Sequence, residues 1–190
     1  GTGVSYGGRK PVMLELVPDA AFAIGISLAG SSIDGILTDC KANILDHYTQ
    51  KIKSTYNNEE ILATFINAIS QLIANNNVRK SSIIGIGVAV PGPYDHIKGV
   101  VLNPPNFPNC SNMPVKEHLE SYFNLPVYVK KETAAAALGE YWLGSFSDTE
   151  DLFVINSMKI GLGGGAVIGG NVYYGFCDGA SDIGHITIDP

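Results

Sequence analysis

SSIIGIGVAVPGP, residues 81–93, is the stretch on which the fold turns. Residues 81–90 form a nearly continuous apolar run, too short for an ordinary buried helix and rich in Ile and Val. That pattern predicts a central β-strand covered on both faces. Pro91 and Pro93 cannot extend a hydrogen-bonded ladder, and Gly92 lets the backbone approach a neighbour or a ligand closely. The strand therefore stops abruptly at a loop that continues through GVVLNPPNFPN, residues 99–109. In open α/β sheets, ligands bind beyond the carboxyl ends of such strands.

Working upstream, AFAIGISL (21–28), SIDGILTD (32–39) and NILDHYTQKIKS (43–54) alternate β-branched with polar residues, and turn residues at Gly30 and at 41–43 separate them. Three consecutive strands are expected. Between them and the central run, Ile61, Leu62, Phe65, Ile66, Ile69, Leu72 and Ile73 line one face of a helix over residues 58–75. Residues 1–18 combine glycines, basic residues and prolines with a short VMLEL, and read as a linker running into an edge strand. Downstream, Asn112 is expected to cap and Pro114 to start a helix in PVKEHLESYF. A strand LPVYV follows, and then an alanine-rich helix within KKETAAAALGEYWLG whose first turn carries Glu132. The polar SFSDTED breaks the pattern and sets a lobe boundary at about residue 148. Beyond it come a strand DLFVINS and a hairpin of KIGLGGGAVI and NVYYG around Gly169-Gly170.

Composition narrows the function. The 190 residues are 45% hydrophobic and 16% charged, against roughly 25% charged in an average globular chain, which excludes a disordered polypeptide. Net charge is −6 and the 12 Lys and Arg are scattered, so this stretch is not built to grip a nucleic-acid phosphate backbone by itself. Cys40, Cys110 and Cys177 lie far apart, giving neither a disulfide framework nor a CxxC knuckle, and a reducing cytoplasm is the simplest reading. No apolar run approaches the ~18 residues of a membrane span, so no membrane partner is expected. The 22 glycines cluster in a few short stretches, which points to sites shaped by backbone.

Several strings agree in order and spacing with one family. GVAVPGPYDHIKGVVLNPPN, LPVYVKKETAAAALGEYWLG, GLGGGAVIGGNVYYG and DIGHITIDP resemble the ROK family of sugar kinases and sugar-responsive repressors, over residues 19–190. The resemblance implies an α/β chain of the actin-like ATPase (ribonuclease H-like) fold, comprising a first lobe over 19–148 and the start of a second over 149–190. The stretch GRKPVMLELVPDAAFAIGI is similar to the linker that follows a winged helix-turn-helix in the repressor branch. Residues 1–18 are therefore expected to join a DNA-binding head outside this chain, and the second lobe is expected to be incomplete.

The departures from the kinase pattern carry the functional reading. In the first phosphate loop, where the family's kinases have an Asp and paired glycines, this chain has GISLAGSS, with Ser27 for the carboxylate and Ala29 for a glycine ahead of Gly30. A neutral hydroxyl is a poor organiser of Mg²⁺ around polyphosphate. The family's Gly-Thr-Gly loop is here Lys159, Ile160 and Gly161, with Gly163, Gly164 and Gly165 retained. Those glycines suit either close packing at a hairpin base or a residual phosphate cradle. Ser27, Gly30, Gly161, Gly163 and Gly164 thus mark a degenerate nucleotide site, and no cofactor is expected.

At the head of the alanine-rich helix, the kinases' Asn-Asp pair, whose Asp serves as base, becomes Lys131 and Glu132. Glu132 reads as a first-turn acid favoured by the helix dipole, as a ligand contact, or as a displaced base. The resemblance also places Asn106, Asp182 and His185 where the family contacts sugar hydroxyls, although Asn106 equally suits an Asx turn. His185 has a second family role as a zinc ligand, but a lone His cannot hold structural zinc, and no metal is expected. Lys131 either points into the cleft and favours a sugar phosphate or sugar acid, or reaches solvent or a nearby acid.

The expectation is an effector-sensing domain of a sugar-responsive repressor without catalytic residues. It would be oligomeric, would bind a sugar or sugar phosphate, and would reach DNA only through another domain. A hexose kinase and a ligand-free protein-interaction scaffold are the alternatives.

Overall fold

The structure, a computed structural model, describes residues 14–146, 149–158 and 161–189. Strands β1 (Phe22–Ala29), β2 (Ser32–Asp39) and β3 (Ile44–Lys51) form an antiparallel meander. Their alternation puts Ile24, Ile26, Leu28, Ile33 and Leu37 on one face, all buried. Helix α1 (Asn58–Asn75) lies on that face and is opened by a capping box. The Asn57 side chain accepts from the Glu60 amide at 3.0 Å, and the Glu60 carboxylate accepts from the Asn57 amide at 2.8 Å. Ile61, Leu62, Phe65, Ile69 and Leu72 are buried beneath the helix, with Ile66 and Ile73 at its flanks, as their spacing predicts.

Strand β4 (Ile83–Val90) adds parallel to β1, and β5 (Tyr94–Asp95) and β6 (Val100–Val101) make a small hairpin beyond its end. Helix α2 (Val115–Phe123) leads to β7 (Val127–Lys131), parallel to β4, and completes a five-stranded sheet of order β3-β2-β1-β4-β7. Helix α3 (Glu132–Leu143) follows β7 directly. Strands β8 (Leu152–Met158), β9 (Gly161–Ile168) and β10 (Asn171–Val172) form a second, antiparallel sheet of order β10-β9-β8. Gly169 and Gly170, at φ +54° and +77°, make its two-residue turn, which needs the left-handed region twice. This mixed α/β architecture is that of the actin-like sugar kinase fold.

Helix α3 also ties the two sheets together. A Cβ on Gly165 would run into the Thr133 carbonyl oxygen, and one on Gly163 would sit 2.7 Å from Thr133 Cγ2. Glycine is what lets β9 approach the helix this closely.

Three local expectations are corrected. The central strand is not covered on both faces, since Ile84 is 62% exposed. Helices α1 and α2 share one side, while the cross-strand row Ile36, Gly25, Gly87 and Tyr128 runs along the other with Ile36 and Tyr128 exposed. Apolar composition alone could not separate a small-residue face from a buried one. In VMLEL, Leu14, Glu15 and Leu16 form no strand and are exposed; Val12 and Met13 lie outside the described residues. The chain there is held by Cys40 instead, whose amide donates to the Pro18 carbonyl. Asn112 does not cap α2; it sits at φ +47°, a conformation Asn tolerates, and Pro114 occupies the N-cap position without a side-chain bond.

Candidate functional site

A cleft of about 390 Å³ opens where β4 ends. Pro91, Gly92 and Pro93 form one wall, as the abrupt stop of the apolar run predicts. The Pro-rich loop contributes Asn106 above buried Phe107, and the first turn of α3 contributes Glu132 and Thr133. Gly161 to Gly163 at the start of β9 and the segment from Asp178 to His185 close the opposite side.

The structure therefore brings Asn106, Lys131, Glu132, Asp182 and His185, from three separate stretches of the sequence, to one cleft. Lys131 occupies the junction between β7 and α3, and its Nζ makes an ion pair with Asp182 across the cleft. Its charge is thereby taken up by an acid of the opposite wall. Burial pushes the Glu132 carboxyl above its ordinary range, with the neighbouring Lys131 charge acting in the other direction. His185 is exposed at the mouth.

The positions read as a degenerate nucleotide site divide. Gly30, Gly161 and Gly163 line the cleft, and Gly164 lines a small recess leading off it. Ser27 lines neither; it sits half-buried within β1, paired with Asp34 and Ala89. The reason is register, because a strand residue set back from the turn does not reach the loop where the cleft opens. Gly163 and Gly165 are used in the close approach to α3, whereas Gly161 faces open space. Lys159 and Ile160 lie outside the described residues. Among the described residues no three His, Cys, Asp or Glu side chains gather as a metal-ligand set.

Sequence reasoning missed three residues of this site: Tyr94, Thr133 and Asp178. Tyr94 is 3% exposed and Thr133 is 2% exposed. Burial pushes the Tyr94 hydroxyl well up; the Lys131 amide counters this in part, and the nearby Tyr174 and Asp178 add to the rise. Asp178 lies 2.7 Å from His96 Nδ1, and the His96 ring stacks on Tyr174 at 4.4 Å with an interplanar angle of 13°. Lys130 sits over the same Tyr174 ring, 4.9 Å from its centroid, and its Nζ donates to the Tyr174 hydroxyl. This network joins the β5–β6 hairpin and β7 to the segment after β10. The available signals were weak: Tyr94 directly follows the PGP string and Thr133 directly follows Glu132.

Comparison with known proteins gives a consistent picture. The model of the ROK family matches residues 23–190. The xylose repressor of Caldicellulosiruptor bescii is 34% identical over 189 residues, covering 100% of this chain and 47% of that protein. The chain spans about half the length of the curated relatives it matches. Among solved structures, a ROK family transcriptional regulator homologous to the E. coli MLC protein aligns with TM-score 0.80 and 25% identity, over 90% of this chain and 42% of that one. A ROK family glucokinase from Streptomyces griseus, in complex with glucose and AMPPNP, aligns with TM-score 0.77 and 28% identity, over 90% of this chain and 52% of that one.

Proposed function

Because this chain belongs to the ROK family, we propose that it is the effector-sensing part of a transcriptional repressor of carbohydrate metabolism and has no kinase activity. The effector is a sugar or sugar phosphate held in the cleft. DNA is reached only through a head domain outside these residues, the working protein is a homo-oligomer in the cytoplasm, and no cofactor is used. The likeness to a xylose repressor over the whole chain supports the repressor branch.

The observation that carries the reading is the ion pair of Lys131 with Asp182. It stands at the head of α3, where the family resemblance implies an Asn-Asp pair serving the kinases' chemistry. A cation tied to the opposite wall occupies that place, and Glu132 beside it is held toward its protonated form by burial. The arrangement suits sensing. Lys131 belongs to the end of β7 and Asp182 to the segment packed on β9, so a ligand that breaks or tightens the pair changes how the two sheets are tied. Such a ligand shifts the protein between states only by its differential affinity for them.

The test uses the protein at its full natural length. Thermal midpoints are measured with D-xylose, D-glucose, glucose 6-phosphate and ATP–Mg²⁺, alongside sugar-dependent ADP release. A sugar at 100 times its Kd should add ~2.7 kcal/mol of stability, with no ADP formed. Sustained ADP release would establish the kinase alternative, and no response to any sugar would leave the interaction scaffold.

A further inference from the structure

Among the described residues, three buried side-chain polar atoms lack a well-aligned hydrogen bond: Tyr94 Oη, which faces the Lys131 amide, Thr133 Oγ1, and Asp178 Oδ1, which lies 2.7 Å from His96 Nδ1. They come from the hairpin after β4, from the first turn of α3, and from the short helical turn Phe176–Asp178. All three residues line the cleft, and all three also line the recess that leads off it toward Gly164 and Ala180. A buried polar group left unpaired is costly, and native structures hold few of them. Here such atoms from three separate elements face the same cleft and recess. Asp178 has a side chain only 10% exposed, and its Oδ1 lies near His96 Nδ1 without a completed hydrogen bond.

We propose that Tyr94, Thr133 and Asp178 form a subsite that reads one hydroxyl of an uncharged polyhydroxy ligand, which selects neutral sugars over their phosphates. The proposal rests on the reading of the cleft as the effector site. A ligand hydroxyl is both donor and acceptor: it gives its proton to the Asp178 carboxylate and accepts from the Tyr94 or Thr133 hydroxyl, so one group satisfies partners on more than one element. A phosphate oxygen has no proton to give a carboxylate at neutral pH. It would face the Asp178 and Asp182 carboxylates, while the Lys131 cation is already held by Asp182. Of the two expectations for Lys131, the structure shows the pairing with a nearby acid.

The experiment is isothermal titration of the protein at its full natural length with D-xylose, D-glucose and glucose 6-phosphate, repeated on Tyr94→Phe and Thr133→Val. Both substitutions remove a hydroxyl and keep the side-chain shape. A deoxy series of the tightest-binding sugar is then titrated against wild type and Tyr94→Phe. The expected result is a neutral sugar bound at least tenfold more tightly than glucose 6-phosphate, and a loss of tenfold or more in at least one of the two variants. One deoxy analogue should lose the same factor in wild type and nothing further in the variant. If a neutral sugar binds wild type and both variants equally, the unpaired atoms hold only an ordered water and the subsite is refuted while the effector reading stands. Tighter binding of the phosphate refutes the selectivity. If wild type binds none of the sugars, the effector reading fails and the subsite falls with it.

Discussion

The two sheets of this chain are built to opposite standards. The five-stranded sheet with α1 and α2 buries its large apolar side chains almost completely, with Phe65, Leu28, Ile33, Ile86 and Leu119 all at 0% exposure. The three-stranded sheet leaves Phe153, Ile155, Leu162 and Ile168 exposed, and it approaches α3 closely at Gly163 and Gly165, where a Cβ would meet Thr133. Among the described residues, every buried side-chain polar atom that lacks a well-aligned hydrogen bond lies at the seam between them. Stability is concentrated in the first unit, and the site lies where the second is laid against it. On the proposed reading, that division lets the cleft respond to a ligand without endangering the core.

The largest effect that could break this contrast comes from matched truncations. Phe65→Ala should cost ~3–5 kcal/mol, while Ile155→Ala, on the open sheet face, should stay within ~0.5 kcal/mol. Chemical denaturation of both variants checks it, and similar costs would erase the distinction. Next comes Gly165→Ala, whose methyl meets the Thr133 carbonyl and forces β9 away from α3. Overpacking of this kind typically costs ~1–3 kcal/mol, and sugar-induced thermal shift should fall along with stability because the cleft walls separate.

A smaller effect tests the first unit by itself. Asn57→Ala removes the side-chain half of the α1 capping box and should cost ~1 kcal/mol, with no change in ligand response. The smallest effect concerns pH. The Glu132 carboxyl is raised above its ordinary value of 4.5 in the folded protein, so the folded state binds the proton more tightly than the unfolded one. Its contribution is therefore fully present below the unfolded pKa and is lost as pH rises through the folded one. Glu132→Gln should flatten that fall from about pH 4.5 upward and leave the variant relatively more stable at neutral pH. A denaturation series across pH that shows the same slope in both proteins would contradict it.

The contrast also explains what was legible beforehand. The helical spacing from Ile61 to Ile73 and the strand alternation around Ile24 and Ile33 are written by burial on one face, and they read directly. The turn at Gly169-Gly170 and the loop after Val90 follow from backbone chemistry that only Gly and Pro impose. The open face of β4 was not legible, because glycine and alanine count as apolar whether covered or not. Nor was the seam. Tyr94 and Thr133 lie inside strings that carry the resemblance but at positions given no role there, Asp178 lies outside those strings, and their convergence is a product of tertiary packing between segments up to 84 positions apart (178 − 94). Motif resemblance singled out Lys131 and Asp182, but their mutual ion pair required the cleft to be closed by the segment after β10.

The most direct test of the central claim is a single calorimetric measurement. The protein at its full natural length is titrated with D-xylose and then D-glucose in the presence of ATP–Mg²⁺, a format that reads binding as a saturating heat and catalysis as continuous heat flow. The account predicts a saturating heat for at least one of these neutral sugars that returns to baseline after each injection. Sustained heat flow after sugar addition would show phosphotransfer, and absence of any binding heat would show an empty cleft; either result contradicts the account.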